Sequence, residues 1–123
     1  MPVRIQRKRT KGWKMPENTV CVDRPSVWGN PFPITLGRKL AVDLYRELLT
    51  GSFNPFWLSH LSDEVFDGIY QARATWLKRF KQTFNTLEIA YICRHELGGK
   101  NLATWCKPKD ECHGDVLLEI ANA

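Results

Sequence analysis

Residues Arg24–Phe32, Arg-Pro-Ser-Val-Trp-Gly-Asn-Pro-Phe, cannot fold as ordinary helix or central strand. Pro25 and Pro31 each remove a backbone donor and push the preceding residue away from helical angles. Gly29 and Asn30 are the residue types most able to take positive φ, which predicts a tight turn between them. The loop nevertheless carries two large rings, Trp28 and Phe32, which a plain connection would not need. Thr19–Val22 just before it is β-prone, so the loop is expected at the C-terminal end of a strand. Ligands of open α/β sheets bind at that end. Two readings follow, a wall of a binding crevice and a plug over the core, and they are compatible.

Charge singles out the same region. Residues 1–24 hold seven basic side chains (Arg4, Arg7, Lys8, Arg9, Lys11, Lys14, Arg24) against Glu17 and Asp23, while the remainder balances at eleven of each sign. The net charge of +5 therefore sits in the segment leading into the aromatic loop. Such a field attracts phosphate, on a nucleotide or on nucleic acid, although basic residues also guard edge strands. No apolar run is long enough to span a bilayer, and the basic start lacks the apolar stretch of a signal peptide. A cytoplasmic protein without a membrane partner is expected. Four cysteines (Cys21, Cys93, Cys106, Cys112) in a chain with 43% apolar residues then read as free thiols.

Val3–Arg7 alternates as a half-buried strand and is a candidate to pair with Thr19–Val22. Gly37–Thr50 carries Leu40, Leu44, Tyr45, Leu48 and Leu49 at helical spacing and stops at Gly51. A connector over 52–62 would turn at Asn54-Pro55 and anchor on Phe56 and Trp57. A second helix is predicted over Asp63–Lys81 with Ser62 as N-cap, and a third from Asn85 or Thr86 to Leu97, closed by Gly98-Gly99. A strand over Glu88–Cys93 competes with the third helix. Asn101–Trp105 reads as a buried strand, Cys106–Glu111 as a polar loop, and His113–Asn122 as the last helix. The fold class is α/β: one compact domain with a small, mostly parallel sheet flanked by helices, Rossmann-like in outline.

The second concentration of chemistry is Cys106-Lys-Pro-Lys-Asp-Glu-Cys-His113. It places Cys106 at a strand end and Cys112 and His113 at a helix start, where unpaired N–H groups favour an anion or a thiolate. Zinc held by Cys106, Cys112, His113 and Cys93 is one reading, but the Cys-x-x-Cys pairs of structural zinc sites are absent. A nucleophilic cysteine with His113 is another, and Cys106 suits it better than Cys112, since helix neighbours diverge by ~100°. Phosphate recognition by the imidazole and helix amides is the favoured one. The expectation is no metal, no cofactor and no essential thiol.

Three blocks, Val22–Phe32, Gly99–Cys106 and Cys112–Asn122, resemble the uncharacterised family called domain of unknown function 4326, small proteins of bacteria and their phages. The resemblance implies a compact α/β fold of the nucleotide-binding type and a phage or prophage origin. The family's strand tends to end Cys-Trp-Cys; here Thr104 takes the first position, which argues against chemistry needing both thiols. The combined reading is a binder of a phosphorylated small molecule, most simply a nucleotide or nucleotide-derived signal, with sequestration of a host immune nucleotide as a use that needs no catalysis. Trp28 would stack on a base, Arg24 and helix amides would hold phosphate, and Asn30 would read a polar edge. Gly29, Cys106, Cys112 and His113 would complete the crevice. Two alternatives stay open: an enzyme acting on a nucleotide or its glycosidic bond through Cys106 or His113, and a nucleic-acid module built on residues 4–14 with Trp13 as a stacking platform.

Overall fold

In a computed structural model of the chain, described for residues 2–51, 60–83 and 88–123, the sheet is organised around its last strand. Strands β1 (Arg4–Gln6) and β2 (Thr19–Cys21) do not pair with each other, contrary to the sequence expectation; both lie parallel to β3 (Asn101–Thr104), in the order β1-β3-β2. Parallel neighbours need a crossover rather than a tight turn, so residues 7–18 carry the chain across the sheet instead of folding β1 back on β2. Arg4 faces Leu102 in register, and Cys21 faces Ala103. Leu102, Ala103 and Thr104 are fully buried, as the centre of a parallel sheet requires.

Helix α1 (Arg38–Thr50) buries Ala41, Leu44, Tyr45, Leu48 and Leu49 along one face and ends at Gly51 in the left-handed region, φ 78°. Helix α2 (Asp63–Thr83) starts with Ser62 Oγ accepting from the Val65 N–H at 3.3 Å and buries Ile69, Trp76 and Phe80. Helix α3 (Ile89–Leu97) settles the ambiguity over Glu88–Cys93 in favour of helix. Its end needs glycine, because a Cβ at Gly98 would lie 2.4 Å from the Arg94 carbonyl oxygen. Helix α4 (His113–Ala121) packs on α1, α3 and β3. A 3-10 turn, Ile34–Leu36, leads into α1. The result is a single compact α/β domain with a three-stranded parallel sheet. The expected turn at Asn54-Pro55, the anchors Phe56 and Trp57, and the proposed helix start at Asn85-Thr86 lie outside the described residues. No described helix is long and apolar enough to cross a membrane.

Candidate functional site

Because all strands run the same way, the C-terminal ends of β2 and β3 open on one side, facing the first turn of α4. A cleft of about 290 Å³ lies there. One wall comes from the loop after β2 (Asp23, Arg24, Pro25, Asn30), the other from the segment after β3 (Trp105, Cys106, Glu111, Cys112, His113), and Ile34, Arg38 and Val42 close the end. Of the residues expected in the crevice, Arg24, Asn30, Cys106, Cys112 and His113 line it.

Trp28 and Gly29 do not. Trp28 is 4% exposed and packs edge-on against Phe80, with ring centroids 5.1 Å apart. Its carbonyl accepts from the Tyr45 hydroxyl, while the neighbouring Val27 carbonyl accepts from Trp76 Nε1 at 3.0 Å. The ring is therefore part of an aromatic cluster behind the loop, not a stacking surface in the cleft. The Gly29-Asn30 turn is also corrected, since neither residue has positive φ. The chain instead makes two successive turns, Ser26 N to the Asp23 carbonyl at 2.9 Å and Gly29 N to the Ser26 carbonyl at 3.0 Å. Glycine is required at 29 because a Cβ would sit 2.4 Å from the Arg24 carbonyl oxygen, a contact with the loop itself and not with a ligand. Asn30 reaches the cleft but its amide serves the fold: Nδ2 donates to the Ala41 carbonyl at 3.0 Å, and Oδ1 accepts from Phe32 N at 2.9 Å.

Arg24 points one nitrogen, Nη1, at the carbonyls of Asn30 (2.6 Å) and Phe32 (2.8 Å). Its pKa is lowered by partial burial and then by the nearby Arg38 guanidinium. Arg38, from the first turn of α1, contacts the Glu111 carbonyl at 3.4 Å and Cys106 Sγ at 3.8 Å. Among the described residues neither arginine has a carboxylate partner. Asp23, which also lines the cleft, is paired with Arg7.

Cys106 and Cys112 are joined in a disulfide, so the expectation of four free thiols is corrected; Cys21 and Cys93 are the free ones. The strand end and the helix start bring the two Cα atoms to 6.2 Å, within bridging range. In this form neither sulfur is a nucleophile. His113 is 7% exposed, and its Nε2 is hydrogen-bonded to the Val22 carbonyl. A carbonyl only accepts, so Nε2 carries the proton and Nδ1 presents a bare lone pair. Burial pushes the imidazole pKa down, outweighing the opposing effect of the Val22 bond. A neutral ring whose one N–H is already committed is a poor phosphate donor, which corrects the role expected for His113.

Sequence reasoning missed Trp105, Arg38 and Asp23. Trp105 is 40% exposed, with the Arg7 and Arg9 guanidinium carbons 4.5 and 4.9 Å from its ring centroid. An aromatic side chain directly after a buried strand, on the side opposite the core, was the available signal. The basic segment is less free than its composition suggests. Arg4 donates to the carbonyls of Lys107, Pro108 and Asp110 and pairs with Asp115 at 3.2 Å, which ties down the loop between the two cysteines.

A family model described as a domain of unknown function (DUF4326) matches residues 5–123. No curated protein and no solved structure matches the chain. The chain belongs to that family.

Proposed function

We propose that the cleft binds a phosphorylated small molecule carrying a flat ring, with a nucleotide or nucleotide-derived signal as the best fit. The observation that carries this reading is the pair Arg24 and Arg38. Two guanidinium groups face one cleft with only neutral hydrogen-bond partners, near enough that Arg38 adds to the burial that lowers the Arg24 pKa, and an anion would relieve that repulsion. The stacking surface on this reading is Trp105 rather than Trp28, with Arg7 and Arg9 extending the positive field along it. The apolar side chains Ile34, Val42 and Pro25 would take the ring edge. In a phage setting such a protein would act by sequestering a host nucleotide signal, which needs occupancy and no turnover.

The test begins with protein purified from cells, denatured, and its released small molecules identified by mass spectrometry. A phosphorylated compound is expected from wild type and should be lost from the Arg24→Gln/Arg38→Gln double variant. No phosphorylated compound from wild type, or equal amounts from both proteins, would sink the proposal. If instead nucleic acid binds tightly and selectively, and binding falls on neutralising Lys8, Arg9 and Lys11, the segment 4–14 is the functional surface.

A further inference from the structure

Three groups that line the cleft on the α4 side form a cluster of another kind. Cys106 Sγ, Cys112 Sγ and a ring nitrogen of His113 all lie within 4.8 Å of one another. Cys106 comes from the end of β3 and the other two from the start of α4, and Cys93, the fourth ligand weighed from the sequence, is not among them. We propose that, with the disulfide reduced, these three side chains bind one thiophilic divalent cation, zinc being the best fit, and leave its fourth position open toward the cleft.

Four observations bear on this. The first is spacing. With Zn–S about 2.3 Å and Zn–N about 2.0–2.1 Å, tetrahedral geometry puts a sulfur and a nitrogen ligand about 3.6 Å apart. Cys112 Sγ and His113 Nδ1 are already 3.8 Å apart. The second is tautomer. The Val22 carbonyl holds the Nε2 proton, which leaves the Nδ1 lone pair on the sulfur side, and metal-bound histidines are oriented by such an outer hydrogen bond. The third is charge. Two thiolates and a neutral imidazole cancel a dication. The fourth is coordination number. The nearest further side chain on Cys112 Sγ is the Thr104 hydroxyl at 3.4 Å, a weak zinc ligand, so the set is three. Three protein ligands with an open position distinguish a site that exchanges water or ligand from a closed structural one. Sulfur donors favour zinc over magnesium or calcium.

A dithiol reductant gives two electrons and two protons to the Cys106–Cys112 bond and becomes a disulfide itself. Each cysteine thiol then releases a proton as its sulfur binds the cation. The oxidised chain cannot form the site, so disulfide and metal are exclusive states of the same two sulfurs.

The site can be tested without any knowledge of the cleft's ligand, so its failure and that of the anion reading are separable. Reduced full-length protein is titrated anaerobically with Co²⁺ and then with Zn²⁺. One Co²⁺ per chain is expected, with thiolate-to-cobalt charge-transfer and tetrahedral d–d bands that zinc bleaches. Oxidised protein should give neither. Cys106→Ser should abolish the bands and Cys21→Ser should keep them. His113→Ala should weaken binding by on the order of a hundredfold, since losing merely an outer partner costs 10–100-fold. Where a variant fails to fold, wild type alone decides: zinc should protect Cys106 and Cys112, but not Cys21, from alkylation mapped by mass spectrometry. No cobalt bound by folded reduced wild type, bands surviving in the Cys106→Ser/Cys112→Ser variant, or protection elsewhere would overturn the proposal.

Discussion

The two walls of the cleft are built on opposite principles. On the β2 side, the polar groups of residues 23–32 are bonded largely to the fold: both ends of the Asn30 amide, one arm of Arg24, the Asp23 carboxylate and the Trp28 carbonyl all have protein partners. On the β3 side, Trp105 keeps a partly exposed ring and His113 keeps a lone pair, and Arg38, reaching that wall from α1, donates to neutral atoms there. The first wall fixes a shape. The second holds groups that the fold leaves less fully bonded. An unusual sequence can thus mark the scaffold of a site, while a plainer one carries its chemistry.

Substitutions can break this contrast, and the largest effect is expected at Trp28. Trp28→Ala empties a buried site against Phe80 and should cost about 3–5 kcal/mol of stability, read from chemical denaturation. If stability holds and only ligand release changes, the β2 wall is not a scaffold. Gly29→Ala should follow at about 1–3 kcal/mol, since the new methyl meets backbone that cannot move aside as a side chain could. Trp105→Ala should do the reverse, lowering affinity for the co-purified compound by about 1–3 kcal/mol in a calorimetric titration. Its folding should change by less than about 1 kcal/mol, because the ring is partly exposed and its cation contacts are weak.

A pH-dependent effect sharpens the picture of the core behind both walls. Burial pushes the Cys93 thiol up to about 12, more than Arg94 offsets. A folded-state pKa above the ordinary 9.0 means that the native state holds its proton longer than the unfolded chain. The contribution is complete below pH 9 and is lost as pH rises toward about 12. Stability should decline over that alkaline window, and Cys93→Ala should make the decline shallower. An unchanged slope would show that the thiol is not held in its neutral form.

How legible this was depended on whether the signal was local. Helical spacing in residues 38–50, the Gly98-Gly99 stop and the buried run 101–104 are local, and each produced its element. The placement of a crevice at the strand ends followed from the parallel sheet. The direction of the Trp28 ring was not local, because Phe80, far along the chain, decides it. The partner of β1 was equally remote, since residue 4 pairs with residue 102. Cysteines six residues apart are compatible with a bridge, a metal or neither; only the meeting of β3 with α4 narrows the choice.

The placement of β3 at the centre of the sheet has a consequence for how the chain is made. Neither of the first two strands has a sheet neighbour until residues 101–104 have left the ribosome. For most of its synthesis the nascent protein therefore presents two unpaired β-prone segments, and the stretch that begins with the first of them, residues 4–14, carries six basic side chains and no acidic one. Those charges discourage edge-to-edge association while the segment waits. The basic residues around β1 would then act during synthesis as a guard against aggregation, before the sheet that they border exists.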